Sequence, residues 1–273
     1  MSGKAELSRL SLNQITTENW SLSEAIDGCE RNEVPWISIW RHKLAEYGVK
    51  ETAAHLKQSG IKVSSLCRGG MFPAATQEER NKRIEDNKRA IEEAAEIGTD
   101  TLVLVCGPAP DKNLEQARIW VQEGIESIIP HAEQHGVKLG IEPLHPMYAA
   151  DRSVINTLGQ ANSLVQYYNS KQVGVVVDVF HVWWDPELAQ EIEAAKGSIL
   201  GFHVSDWKVP MLDMFKGRAM MGDGVIDLNG MRNQVEAAGY HGPIEVEIIN
   251  QEIWDRPGDE VLKQMKERYT EHV

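Results

Sequence analysis

Short apolar runs recur along the chain, and each is followed by a longer segment with apolar residues at helical spacing. The runs are rich in β-branched residues, which is typical of buried strands. Eight such runs are present, at 10–15, 36–40, 62–67, 101–106, 138–143, 173–179, 199–206 and 243–250. Strict alternation of strands and helices predicts a parallel sheet covered by helices. Eight such units predict a closed (β/α)8 barrel.

The segments between the runs have the pattern of amphipathic helices. In 77–98 and 114–136 apolar residues recur at helical spacing, the other face is charged, and a terminal glycine marks the end. A doubly wound open sheet is the competing architecture, but it usually carries a glycine-rich phosphate loop, and no such motif is present. The length of 273 residues suits one barrel of roughly 250. We therefore predict a single α/β domain over 1–273, a TIM barrel with catalytic-face loops at about 143–153 and 206–226.

Charge and composition exclude several classes of partner. The 41 acidic against 28 basic residues give a formal charge of −13, which repels nucleic-acid phosphates and anionic lipid. No apolar run reaches the length of a membrane span, and the stretch 1–13 has no apolar core of a signal peptide. Three cysteines without metal-type or redox-type spacing fit a reducing compartment. These features predict a cytoplasmic protein with neither nucleic acid nor membrane as a partner.

Polar residues appear where four successive strands end. The fifth strand ends in Glu142, the sixth in Asp178, the seventh in His203 and the eighth in Glu247. In such a barrel, catalytic residues come from the carboxyl ends of the strands. Because alternate strand residues face the barrel interior, these four share the inward face. Glu245 shares that face one layer deeper, so Glu247 is the better candidate ligand.

Three carboxylates that converge in one buried region repel each other unless a cation neutralises them. A single strand-end carboxylate is more often a helix cap, but four ligand-type residues on successive strands favour a metal site. Three carboxylates and one imidazole suit Mn²⁺, Mg²⁺ or Co²⁺, and Zn²⁺ remains an alternative. We predict one divalent ion, with Mn²⁺ as the first choice.

Several short motifs carry a resemblance to a known family. They are IEP at 141–143, D-x-x-H at 178–181, GFHVSDW at 201–207, the arginine that precedes MGDG at 221–224, and GPIEVEI at 242–248. In this combination the sequence resembles the sugar phosphate isomerase/epimerase group, the xylose isomerase-like TIM barrels that include ketose 3-epimerases and inositol-catabolism enzymes. The likeness spans nearly the whole chain, and it implies a metal-dependent enzyme with a small sugar as substrate.

The resemblance also implies roles for individual residues. The ligands of one divalent ion would be Glu142, Asp178, His203 and Glu247. The two glutamates would double as acid and base on opposite faces of the sugar. His181 and Arg218 would contact substrate oxygens, although Arg218 follows a longer segment than the epimerase pattern has.

The implied chemistry is proton abstraction next to a carbonyl. A ketosugar bound to the metal through its carbonyl and a neighbouring hydroxyl has an acidified α-proton, because the ion stabilises the enediolate. A carboxylate within reach can remove that proton. Return from the other face gives epimerisation, and return to the neighbouring carbon gives aldose–ketose isomerisation.

A narrower resemblance points to the larger subunit of bacterial C-glycoside deglycosidases. It is carried by IEPLHPMYAADRSVINTL (141–158), DVFHVWWDP (178–186), HVSDW (203–207) and RAMMGDGVID (218–227). This resemblance implies cleavage of 3-oxo-C-glucosides by elimination, a carbon–carbon lyase reaction, and a small partner subunit. His145 is then the candidate base, since an imidazole titrates near neutral pH. Without such a partner, a homo-oligomer is expected.

Aromatic and basic residues follow other strands. Trp183, Arg41 and Arg68 are predicted to contact substrate, because tryptophan faces stack on sugars and arginines bind oxyanions. The arginines lack a glycine-rich phosphate nest, so a non-phosphorylated substrate is expected, with Arg68 as the residue that could change this. Two alternatives stay open: a non-catalytic sugar-binding subunit, and an endonuclease IV-like DNA-repair enzyme, which would need several zinc ions and a basic surface.

Overall fold

The computed structural model describes residues 5–273. The first four residues lie outside the described part, and with them the start of the stretch that was read as lacking a signal peptide. Eight parallel strands close into a barrel. They are β1 (Leu10–Asn13), β2 (Trp36–Trp40), β3 (Lys62–Gly70), β4 (Thr101–Val105), β5 (Lys138–Glu142), β6 (Val173–Asp178), β7 (Ile199–Val204) and β10 (Ile244–Val246). Their order around the barrel is β1-β10-β7-β6-β5-β4-β3-β2. The predicted (β/α)8 barrel is confirmed.

Helices follow the strands and cover the outside of the barrel. They are α1 (Leu22–Arg31), α2 (Arg41–Tyr47), α3 (Val49–Ser59), α4 (Gln77–Glu96), α5 (Leu114–His135), α6 (Leu158–Tyr168), α7 (Val179–Val182), α8 (Leu188–Ala194), α9 (Leu228–Ala237), α10 (Gln251–Trp254) and α11 (Gly258–His272). The apolar core lies between these helices and the outward faces of the strands. No described helix has both the length and the apolar character needed to cross a membrane.

Local sequence signals set the helix ends. α4 begins with a capping box, in which the Thr76 side chain accepts from the Glu79 backbone N–H and the Glu79 carboxylate accepts from that of Thr76. α5 ends at Gly136, whose φ of 68° is the left-handed conformation that glycine adopts without strain. The predicted terminal glycine of α4 instead lies two residues past the helix end, at Gly98.

The barrel interior is polar below the strand ends. Glu245 accepts hydrogen bonds from Ser65 Oγ at 2.8 Å and from Asn13 Nδ2 at 3.2 Å. Beside this network, Val176 fills the space that side chains at Gly140 and Gly201 would occupy. Side chains therefore fill the barrel interior, which supports the site from below.

The two predicted loops carry small elements of their own. Segment 143–153 contains the 3-10 helix Pro146–Tyr148. Segment 206–226 contains an antiparallel pair, β8 (Asp206–Trp207) and β9 (Arg218–Ala219). Both segments follow barrel strands, so they lie at the carboxyl end of the barrel, where the strand-end residues are.

Candidate metal centre and substrate pocket

Four strand-end side chains converge at the carboxyl end of the barrel. Glu142, Asp178, His203 and Glu247 each offer one ligand atom, and these atoms all lie within 4.8 Å of one another. All four side chains are buried. Strand register brings them together: Asp178 pairs with His203 across β6 and β7, and the Glu247 backbone N–H donates to the Val204 carbonyl at 3.1 Å.

His203 lies between three carboxylates. Its Nδ1 is 3.3 Å from Glu142 Oε1 and 3.1 Å from Glu247 Oε2. Its Nε2 is 3.1 Å from Glu245 Oε2, an ion-pair distance without hydrogen-bond geometry. Burial opposes the imidazolium, but the attraction of Glu245, Glu142 and Glu247 outweighs it and raises the pKa of His203 well above its ordinary value.

Glu142 carries the main sign of a cation-binding site. Its Oε1 atom is buried and has no hydrogen-bond partner. Burial raises the pKa of Glu142 to about 7, and the nearby Glu247 carboxylate adds to this shift. A divalent ion would give this oxygen a partner and offset the repulsion among the carboxylates, so the four residues fit a metal ion chemically.

Arg218 provides positive charge behind the cluster. Its Nη1 donates to Asp178 Oδ2 at 2.7 Å and lies 3.8 Å from Glu247 Oε2, and its Nη2 donates to His181 Nε2 at 3.1 Å. Burial alone would raise the pKa of Asp178, but Arg218 outweighs it and holds that pKa below the ordinary value. Arg218 therefore keeps Asp178 ionised.

His181 is held as a neutral imidazole with one free donor. Burial lowers its pKa to about 3, and the charge of Arg218 contributes to the shift. Because Nε2 accepts from Arg218, the ring proton is on Nδ1, a buried atom that has no hydrogen-bond partner. Such a donor suits a substrate oxygen.

A pocket opens directly above these residues. The space between its lining residues, including the part open to solvent, is about 430 Å³. The lining residues are Trp40, Cys67, Arg68, Val105, Glu142, Leu144, Tyr148, Arg152, His181, Phe215, Arg218, Glu247 and Ile249. Five predicted site residues are among them: Arg68, Glu142, His181, Arg218 and Glu247.

Arg41 and Trp183 do not line this pocket, contrary to the expectation that they contact substrate there. The Arg41 guanidinium donates to Glu93 at 2.6 Å and to Asp86 at 2.9 Å, which ties the start of α2 to α4. The Trp183 ring packs 5.5 Å from that of Trp207 and against the apolar core. For both residues, packing against neighbouring elements determines the position of the side chain.

His145 also lies outside the pocket lining. Its ring packs 5.1 Å from Trp207 and 5.5 Å from Trp184. Burial lowers its pKa. Its Nδ1 accepts from the Met147 backbone N–H at 3.1 Å, so the proton is on Nε2 and the exposed side of the ring donates rather than accepts. This arrangement does not favour His145 as a base.

Tyr148 and Phe215 line the pocket but were not predicted from the sequence as site residues. The Tyr148 hydroxyl donates to the Met214 carbonyl and so links the loops after β5 and β7, and its ring lies 5.6 Å from that of His181. An aromatic residue six positions after Glu142 was the available signal for Tyr148. No sequence signal indicated Phe215, because the loop that contains it has no periodic pattern.

A second set of potential ligands lies outside the barrel. Glu92 on α4 meets His131 and His135 on α5, and their ligand atoms lie within 4.8 Å of one another. Two imidazoles and a carboxylate are a competent donor set for Zn²⁺. Metal titrations of the barrel site therefore use a His131→Ala background, so that ions on this surface are not counted.

We predict that the metal-free protein melts at a lower temperature at about pH 8 than at about pH 5.5. The raised pKa of Glu142 gives a stabilising contribution that is complete below its unfolded value of 4.5 and is lost as the pH rises to about 7. The raised pKa of His203 acts in the same direction, through loss of the imidazolium at higher pH. Differential scanning calorimetry tests this.

With saturating Mn²⁺, the protein should instead melt at a higher temperature at about pH 8 than at about pH 5.5, because ligands must be deprotonated to bind a cation. Glu142→Gln should reduce the pH difference in the metal-free protein. A metal-free melting temperature that rises steadily over this pH interval would contradict the prediction.

The barrel and its strand-end cluster define a class of proteins. Residues 24–271 match the family described as xylose isomerase-like TIM barrel, and the chain belongs to that family. The inosose isomerase of Bacillus licheniformis is 26% identical over an alignment of 277 residues, gaps included. The alignment covers 97% of this chain and 98% of that protein. The superfamily resemblance seen in the motifs is thereby confirmed.

Solved structures agree with this assignment. Protein SMc04130 of Sinorhizobium meliloti 1021 is 48% identical, with a TM-score of 0.96 over 98% of this chain and 99% of that chain. The IolI protein with a bound zinc atom is 24% identical, with a TM-score of 0.85 over 97% of this chain and 98% of that chain. At that identity the second likeness shows the fold.

Proposed function

We propose that the protein is a divalent-metal-dependent sugar isomerase or epimerase that removes a proton next to a carbonyl. One observation carries the proposal: Glu142 Oε1 is buried without a hydrogen-bond partner, inside a cluster of four ligand-type side chains that lines a pocket. The similarity to an inosose isomerase supports the same reaction class. Mn²⁺ is the first choice of ion, and Mg²⁺, Co²⁺ and Zn²⁺ are the alternatives.

The two glutamates of the pocket serve as acid and base. When bound, the divalent ion polarises the sugar carbonyl and stabilises the charge that develops on its oxygen. Glu142 and Glu247 both line the pocket, so one carboxylate can accept the proton from the carbon next to the carbonyl. Return of a proton by the other carboxylate to the opposite face inverts that carbon.

His181 and Arg218 orient the sugar. The free Nδ1–H of His181 donates to a hydroxyl oxygen, and Arg218 holds the ring by its hydrogen bond to Nε2. Because this imidazole is neutral and fixed, it positions the substrate without exchanging protons with it.

Proton exchange in D₂O tests the proposal. Metal-stripped and Mn²⁺-reconstituted protein is incubated with ketoses and 3-oxo-glucosides, and the Mn²⁺ is chelated before NMR spectra are recorded. Deuterium uptake next to the carbonyl only with metal supports the proposal. Absence of exchange with every sugar, in protein that binds metal, overturns it in favour of a sugar-binding subunit without catalysis.

A second candidate is cleavage of 3-oxo-C-glucosides by elimination, in complex with a small partner subunit. Two observations favour it. His145, Trp184 and Trp207 form an aromatic group at the catalytic end of the barrel, suited to a flat aglycone. The nearby loop exposes Leu212 and Met214, which a partner subunit or a second copy of the chain would cover.

We predict that His145→Ala lowers isomerase or epimerase turnover less than about threefold, because His145 lies outside the pocket lining. Loss of carbon–carbon cleavage in the same variant, with proton exchange retained, would instead assign His145 as the base of the elimination. Product analysis with a 3-oxo-C-glucoside and a ketose separates the two results. Full cleavage by the variant would remove His145 from both mechanisms.

A further inference from the structure

Two arginines of the pocket make no hydrogen bond to an acidic side chain. Among the described residues 5–273, Arg68 and Arg152 are the arginines whose guanidinium groups make no hydrogen bond to protein, and both line the pocket. The chain has 41 acidic residues, so carboxylates are abundant. Guanidinium groups in partly buried positions are normally paired. Two guanidinium groups without a hydrogen-bonded carboxylate in one pocket therefore need another explanation.

Arg152 is held in place by aromatic rings rather than by acids. Its guanidinium carbon lies 4.3 Å from the centre of the Phe215 ring and 5.4 Å from that of Tyr148. Its Nε atom is buried without a hydrogen-bond partner, and its nearest carboxylate, Asp151, is 4.0 Å away and largely exposed. Stacking leaves the N–H edges of a guanidinium free to donate.

Arg152 also has a fixed backbone. Its N–H donates to the Tyr148 carbonyl, and its carbonyl accepts from the Gly107 N–H, both at 3.0 Å. Arg68 also has a fixed backbone, since it belongs to β3 of the barrel. Both side chains are therefore presented by ordered backbone, which reduces the entropic cost of binding a ligand.

The charge balance of the pocket also favours a negatively charged ligand. With a divalent ion bound, the ion and Arg218 together offset the charges of Glu142, Asp178 and Glu247. Arg68 and Arg152 then contribute two positive charges that no residue of the cluster compensates. A neutral sugar would leave Arg152 with only the exposed Asp151 at 4.0 Å as a counter-charge, and Arg68 with no hydrogen-bonded carboxylate.

We propose that the pocket takes a sugar that carries an oxyanion group, a carboxylate or a phosphate ester, which binds to Arg68 and Arg152. This inference rests on the proposed function for the reaction at the carbonyl, and it adds the class of substrate. A guanidinium donates two parallel hydrogen bonds to either oxyanion. The anionic end binds near Tyr148 and Phe215, and the carbonyl end reaches the ligand cluster.

Matched sugars test the proposal on the Mn²⁺-loaded full chain. D-fructose, D-fructose 6-phosphate and 5-keto-D-gluconate are compared by isothermal titration for binding and by D₂O exchange for turnover. We expect at least one anionic sugar to bind about tenfold or more tightly than D-fructose. The anion that binds more tightly decides between phosphate and carboxylate.

Arg68→Gln and Arg152→Gln should each weaken binding of the preferred anionic sugar by about tenfold or more, and that of D-fructose by less than about threefold. Neither guanidinium hydrogen-bonds to protein, so no hydrogen bond of the folded state is lost. Arg89→Gln is the matched control, because Arg89 is an exposed arginine on α4. It should leave all three affinities unchanged.

The outcomes separate this inference from the proposed function. Tight anion binding that depends on both arginines, with no exchange of any sugar, supports the inference and removes the proposed reaction. Exchange of D-fructose together with equal or weaker binding of both anionic sugars overturns the inference and leaves the reaction standing. Equal losses for neutral and anionic sugars in the two variants also overturn it.

Discussion

Replacing Glu247 with Gln is expected to abolish proton exchange and to weaken metal binding by more than about 100-fold, since even residues that only support a ligand contribute about 10- to 100-fold. The amide keeps the shape of the side chain but removes its charge. Glu247 Oε2 lies 3.1 Å from His203 Nδ1 and 3.8 Å from Arg218 Nη1, so it contacts both a ligand-type residue and the counter-charge. Isothermal titration with Mn²⁺ and D₂O exchange measure the two effects.

The control for this substitution is Glu252→Gln, which makes the same chemical change at an exposed position on α10. It should leave metal binding and exchange unchanged. Both proteins carry His131→Ala, so that only the barrel site binds metal. Wild-type metal affinity or full turnover in Glu247→Gln would remove this cluster as the catalytic centre.

Arg218→Ala is expected to destabilise the metal-free protein by about 3–5 kcal/mol, the usual effect of removing one partner from a buried ion pair. The substitution leaves the fully buried Asp178 without its 2.7 Å hydrogen bond, and it removes the donor to His181 Nε2. Saturating Mn²⁺ should reduce this loss, because the ion would also offset the charge of Asp178. Chemical denaturation with and without metal measures both values.

The same variant separates stability from catalysis. In the metal-loaded protein it should raise KM and lower kcat, because His181 loses the hydrogen bond that fixes its donor toward substrate. Arg218→Lys keeps the charge and should recover more of the stability than of the turnover, since an ammonium cannot reproduce the planar pair of contacts. Unchanged kinetics in Arg218→Ala would show that Arg218 has only a structural role.

The strand-end residues were predictable because a parallel barrel imposes a strict geometry. Alternation decides which residues face inward, and every strand ends on the same side. For this reason the sequence predicted that Glu142, Asp178, His203 and Glu247 would meet, with Glu245 one layer deeper. The structure places these residues as the pattern indicates, and Glu245 lies beside His203 Nε2. Their role as metal ligands stays a prediction.

The rim residues were not predictable in the same way. Position after a strand places a residue at the catalytic end, but it does not decide where a long side chain points. Arg41 is bound by Asp86 and Glu93, which are 45 and 52 residues away in sequence. His145 and Trp183 both pack against Trp207. Contacts between loops and helices therefore override the expectation based on sequence position.

The sequence by itself determined the architecture and the inward set of polar residues, because hydrophobic periodicity and strand polarity are local properties. Only the tertiary structure decided which charged groups are left without a hydrogen-bonded partner. Whether a guanidinium finds a carboxylate depends on elements distant in the chain, as Arg41 and Arg152 illustrate. The reaction class follows from the first kind of information, and the proposed anionic substrate follows from the second.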